Sequence, residues 1–277
     1  MVGNSQLRAN SESVWTMNKP YSIRCPPFEK LSGGIRVMYG LYGWLLSKGQ
    51  LAFMNATFED DNFVGIYPDI YDGNDMKAGT VIRYMLNVPG VMGKLNPITG
   101  NYDAGKTEFE ETDKVYFFSK VFDTVGVADD HILFLPILNL HIFKDQGKER
   151  TKKAVFFGKG EHKDKTLHPD DCVGFDRKYA HDQQRLADFL NECEVVYMYD
   201  QVTAMYDIAR LCGARVVIFP VDITKGRFEL YETGMNGISW DKDEGIKLDS
   251  KAFRRLYVDL RGTFETKLDK FIYDTQS

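Results

Sequence analysis

The sequence predicts an α/β fold of parallel sheets in two Rossmann-like halves, and three observations carry the prediction. The first is the run Cys193–Pro220, CEVVYMYDQVTAMYDIARLCGARVVIFP. Val195–Tyr199 is short, almost wholly apolar and rich in β-branched and aromatic residues, which suits a strand buried on both faces. Asp200 follows as a helix N-cap, Ala204, Ile208 and Leu211 recur at helical spacing, and Gly213 stands where a helix ends. Arg215–Phe219 is a second apolar strand, stopped by Pro220. Strand, turn, helix, strand makes a right-handed crossover between parallel strands. The second observation is a comparable opening near the amino terminus, where a strand at Tyr21–Cys25 precedes Ser32-Gly33-Gly34 and a helical pattern. The third is Lys144–Lys153, KDQGKERTKK, charged and without apolar period, which reads as the linker between two modest domains in a chain of 277 residues.

In chain order, residues 1 to about 20 read as a tail or loose arm. Pro26-Pro27 end the first strand, Met38, Leu41, Tyr42, Leu45 and Leu46 share one helix face, and Gly49 closes it. Leu51–Met54 and Phe63–Ile66 suit the next strands. Asp69, Asp72 and Asp75 crowd a loop with Gly73-Asn74, and Val81–Val88 suggests a short helix bearing Arg83. Asn96–Lys114 is polar and turn-rich, and Val115–Ser119 and Ile132–Pro136 suit the last strands of this half. The second half opens with a strand at Ala154–Phe157 and the turn Gly158-Lys159-Gly160, which lacks the spacing and hydroxyl of a Walker A loop. Asp182–Asn191 is a helix with Leu186, Phe189 and Leu190 inward. Ala252–Leu256 and Phe264–Phe271 suit closing helices.

Composition removes several classes of function. A net charge of −5 gives no general attraction for nucleic acid or anionic membrane, although Lys144–Lys165 is locally basic. Cys25, Cys172, Cys193 and Cys212 are scattered, without a zinc-knuckle spacing or disulfide framework, which fits a reduced cytoplasmic setting. The polar Met1–Ser13 is not a signal peptide, and the longest apolar stretch, Ile132–Phe143, is too short and interrupted to span a bilayer. Asp241-Lys242-Asp243 sits in an acidic loop and reads as surface rather than a metal site. The five histidines have no ligand spacing, and no Ser-His-Asp set assembles.

The turn after Val195–Tyr199 collects free backbone N–H groups and the positive end of a helix dipole, an arrangement suited to phosphate. Every doubly wound fold has such turns, and most hold no ligand. The Gly33-Gly34 pair is a second turn that a phosphate could approach.

The pattern Tyr199-Asp200-x-x-Thr203-Ala204, then Leu211-Cys212-Gly213-Ala214-x-Val216-Val217, resembles the donor half of bacterial and viral glycosyltransferases with the GT-B fold. Ser32-Gly33-Gly34, Gly158-Lys159-Gly160 and the series Tyr67-Pro68-Asp69, Gly73-Asn74, Val81-x-Arg83, Leu86-Asn87-x-Pro89-Gly90 resemble the same family, whose version has Glu where this chain has Asp69. The resemblance implies a GT-B-like pair of domains, 1–147 on the acceptor side and 148–262 on the donor side, with 263–277 packing back on the first. It implies a nucleotide-sugar donor, with a uridine diphosphate sugar expected, and no further cofactor or essential metal. Gly33, Gly34, Gly158, Lys159, Tyr199, Asp200, Thr203 and Ala204 would contact the donor. Asp69 would act as base or acceptor anchor with Asp72 as the spare, and Arg83 would add charge or position the acceptor. The acceptor hydroxyl would belong to a glycan, a lipid-linked glycan or, in a viral setting inside a host cytoplasm, a hydroxymethylated DNA base. One departure stands out: the family's donor-gripping Glu falls at Ile208, with Asp207 beside it. A catalytically impaired binding module of the same fold is therefore the alternative.

Overall fold

The computed structural model describes residues 18–91, 109–158, 167–200, 203–219, 231–240 and 245–277. The amino-terminal half runs β1 (Tyr21–Ile23), α1 (Gly33–Ser47), β2 (Ala52–Met54), β3 (Val64–Pro68), β4 (Thr80–Met85) and β5 (Lys114–Phe117). The carboxy-terminal half runs β6 (Lys152–Phe156), β7 (Val173–Phe175), α2 (Gln183–Leu190), β8 (Cys193–Met198), α3 (Met205–Leu211), β9 (Arg215–Ile218) and β10 (Ile238–Trp240), and α4 (Ser250–Gln276) closes the chain. Among the described residues both sheets have five strands, in the orders β2-β1-β3-β4-β5 and β10-β9-β8-β6-β7, and every pairing is parallel. Within each half the first strand lies between the second and third. The two halves therefore share one doubly wound α/β order, and each sheet has its switch point between its first and third strands.

The strands form where short β-branched and aromatic runs can be covered on both faces. In β8 and β9, Val196, Met198, Val216 and Ile218 enter one core while Val195, Tyr197 and Val217 pack on the other face with Phe219. The first sheet is covered on one side by α1, through Val37, Met38, Leu41 and Leu45.

Four local expectations are corrected. Val81–Val88 is not a helix: β4 occupies Thr80–Met85, because the run TVIRYM is β-branched and aromatic and pairs on both sides, with β3 and β5. Asp200 does not cap α3, which starts at Met205 with Ala204 ahead of it and no side-chain cap. Ile132–Pro136 supplies only an isolated bridge from Ile132 to Phe117. The two closing helices are one, α4, of 27 residues and about 40 Å at 1.5 Å per residue. Phe253 and Tyr257 on α4 join the second core, whereas Phe264, Leu268 and Phe271 join the first. The tail, most of Asn96–Lys114, Lys159-Gly160 and Asp241-Lys242-Asp243 lie outside the described residues. Among the described residues no helix is long and apolar enough to cross a membrane.

Candidate active site

Parallel strands in a sheet end on one side, and ligands of open α/β sheets bind outside those carboxyl ends at the switch point. Here both switch points open into one cleft of about 780 Å³. From the first sheet come Cys25-Pro26 beyond β1 and Pro68-Asp69-Ile70 at the end of β3; from the second come Phe156 at the end of β6, Gly158 beyond it and Asp200 beyond β8.

The first half adds the start of α1. Ser32 caps this helix, its hydroxyl accepting from the Ile35 N–H at 3.4 Å. A Cβ on Gly33 would meet nothing within 4 Å, so the backbone at this corner is open to the cleft. A Cβ on Gly34 would stand 3.2 Å from Leu86, so the start of α1 packs close to the segment after β4. With 15 residues, α1 is long enough for its dipole to favour an anion at this end.

The second half adds Gly158, Asp200, Thr203 and Ala204. Gly158 has φ +51°, and a Cβ there would collide with the Asp200 carboxylate and come within 2.7 Å of the Phe156 ring. Only glycine lets the β6 turn and Asp200 share this space. Thr203 accepts from the Met205 N–H through its hydroxyl at 3.2 Å, and the buried Tyr206 hydroxyl donates to the Asp200 carbonyl. These contacts fix the turn between β8 and α3.

Of the residues expected in the site, Gly33, Gly34, Asp69, Gly158, Asp200, Thr203 and Ala204 line this cleft. Asp69 is only 5% exposed and accepts from the Leu86 N–H at 3.2 Å. Arg83 is elsewhere: it is buried in β4, donates to Asp113 at 2.7 Å and lies over the Tyr67 ring. Asp72 is exposed and outside the lining. Tyr199 turns its ring toward Phe157 and Phe219, and its hydroxyl meets the Leu167 N–H and His168 Nδ1. Lys159 lies outside the described residues.

Asp207, beside the position of the missing Glu, is committed to the protein. Its Oδ1 accepts from Arg210 at 2.6 Å and Thr233 at 3.0 Å, and its Oδ2 from the Tyr231 hydroxyl at 3.2 Å. Arg210 also donates to the carbonyls of Thr233, Gly234 and Asn236, and burial holds its guanidinium below the ordinary value. The pair holds the 231–236 loop against α3, which sets Tyr231 on the cleft wall.

Three cleft cations escaped the sequence reading: Lys30, Arg36 and Arg177. Lys30 donates to the His181 carbonyl and Arg177 to the Leu31 carbonyl at 3.3 Å, so each ties one half to the other. Arg36 stands four residues after Ser32 and so on the same helix face, a spacing visible in the sequence. Among the described residues no His, Cys, Asp and Glu group forms a metal cage.

No family model and no curated protein matches the chain. Among solved structures it is similar to the spinosyn rhamnosyltransferase SpnG, at 10% identity over 93% of this chain and 96% of that one, with a TM-score of 0.38. The same enzyme complexed with thymidine diphosphate gives 10% identity, the same coverage and a TM-score of 0.37.

Proposed function

We propose that this chain is a glycosyltransferase that moves a sugar from a nucleoside diphosphate donor, first of all uridine diphosphate, to an acceptor hydroxyl. The observation that carries the reading is the meeting of two switch points in one cleft, with the open Ser32-Gly33-Gly34 corner on one wall and Gly158, Asp200, Thr203 and Ala204 on the other. A ligand held by both walls needs a charged, extended middle, which a pyrophosphate supplies.

Transfer of a glycosyl group requires a stabilised diphosphate leaving group and an acceptor hydroxyl held in line with the bond that breaks. The α1 amides and the cations Lys30 and Arg177 would take the charge that develops on the departing phosphate oxygen. The second half would hold the nucleoside and sugar. Asp69 is the candidate base: a buried carboxylate at the end of β3, oriented by the Leu86 N–H. It would accept the acceptor's proton as that oxygen attacks the anomeric carbon.

Isothermal titration with a panel of nucleotide sugars, followed by a donor-hydrolysis assay, tests this. The expected outcome is saturable binding with slow release of nucleoside diphosphate. Absence of binding at millimolar donor overturns the reading. Binding without turnover, with every acceptor class tried, selects the binding module instead.

A further inference from the structure

Arginine is seldom taken out of water without a carboxylate, because the bare charge is expensive to desolvate. The two fully buried arginines among the described residues obey that rule, Arg83 with Asp113 at 2.7 Å and Arg210 with Asp207 at 2.6 Å. Arg36 does not. It lines the cleft on the face of α1 that carries Ser32, and it makes no ion pair among the described residues. Among the described residues its one hydrogen bond runs from Nη2 to the Ile137 carbonyl at 3.2 Å. A guanidinium has five N–H donors in a planar fork, so most of this one's capacity is unspent. Burial depresses its pKa, opposed only by Tyr257 and by no carboxylate. Arg254 also lacks a carboxylate, but it donates to two carbonyls, Leu140 and Phe143, and lies outside the cleft.

The geometry points to an anion as the missing partner. We propose that Arg36 binds the outer phosphate of the nucleoside diphosphate, the one that bears the sugar. This rests on the donor reading above. If the second half holds the nucleoside, the phosphate farther along the ligand is the one presented to α1. Arg36 stands one turn along α1 from Ser32 and lines the same cleft as Gly33 and Gly34, the corner where that phosphate would sit.

The test is titration of wild type, Arg36→Gln and Arg36→Met with UDP and UMP, beside thermal melts with and without inorganic pyrophosphate. Loss of a charged hydrogen bond should weaken UDP binding by about tenfold to a hundredfold while UMP affinity stays unchanged. Pyrophosphate should raise the melting temperature of wild type and not of the variants. Equal UDP affinity in wild type and variants overturns the proposal, and so does a parallel loss of UMP and UDP. Failure of both variants to fold, judged by circular dichroism, makes Arg36 structural and also overturns it. The two readings fail separately. Wild type that ignores UDP but gains Arg36-dependent stability from pyrophosphate removes the glycosyltransferase and leaves the anion site. Wild type that binds UDP independently of Arg36 does the reverse, and no response to either probe removes both.

Discussion

Asp69 and Gly158 stand at matching places, each just past the end of a strand beside a switch point, and they fail differently when changed. Asp69 accepts from the Leu86 N–H, a bond that an asparagine carbonyl can also accept. Asp69→Asn should therefore fold and bind donor as wild type does, while kcat falls by about 10²–10⁴-fold, the usual worth of a general base. Unchanged turnover would strip Asp69 of the role. Gly158→Ala acts through shape. Its methyl group meets the Asp200 carboxylate and the Phe156 ring, at a φ that disfavours any side chain. Nucleotide-sugar affinity measured by titration should drop at least about tenfold, with a stability loss of about 1–3 kcal/mol. Arg83 provides the contrast. Arg83→Met leaves Asp113 charged and buried without its partner, which should destabilise the fold by about 3–5 kcal/mol in urea unfolding. In the protein that remains folded, donor affinity should be intact, because Arg83 is outside the cleft.

At the scale of elements, legibility followed how much of an element's stability is local. The β8–α3–β9 unit was readable because Val195–Tyr199 and Val216–Phe219 are apolar throughout and Gly213, at φ +88°, ends the helix. β4 was not, because Arg83 interrupts the apolar run at a spacing that suits a helix, and what makes the segment a strand is pairing with β3 and β5. The three-residue strands β7 and β10 carry almost no pattern of their own. In the candidate site, the glycine corners were visible because backbone freedom leaves a residue-type signature. Lys30 and Arg177 were not, because their partners are carbonyls about 150 residues away, His181 and Leu31. The long helix α4 was read as two pieces, Ala252–Leu256 and Phe264–Phe271; Gly262 lies between them, and one glycine costs a helix only about 1 kcal/mol. Contacts on both sides outweigh that. Phe271 packs against Tyr21 and edge-on to Tyr116, inside the first core. Phe271→Ala should accordingly lower stability by about 3–5 kcal/mol, and a loss below about 1 kcal/mol would mean that this end of α4 is not holding the first half.

At the scale of the whole molecule, α4 and several side-chain contacts join the halves, and one of those contacts titrates. Glu232 reaches across to accept from the Ser119 hydroxyl at 2.5 Å and the Lys120 N–H at 2.7 Å. Lys30 and Arg177 span the cleft at other points. Burial pushes the Glu232 carboxyl above its ordinary value of 4.5, against the hydrogen bonds from Ser119 and Lys120 and the positive charge of Lys267. A raised value means that the folded chain holds a proton the unfolded chain would release. The stabilising contribution is therefore complete below pH 4.5 and is lost as pH rises through the raised value. Protonated, the carboxyl can donate to Ser119 and still accept from Lys120. Glu232→Gln keeps both bonds in an amide and removes the titration. Melting curves of wild type and variant should nearly coincide at pH 4.5 and diverge toward neutrality, with the variant the more stable. Acid unfolding through other carboxylates cancels in that difference, because Asp129 and Asp145 are held below the ordinary aspartate range and titrate in both proteins. A gap that is the same at every pH would show that Glu232 joins the halves without acting as a proton-linked contact.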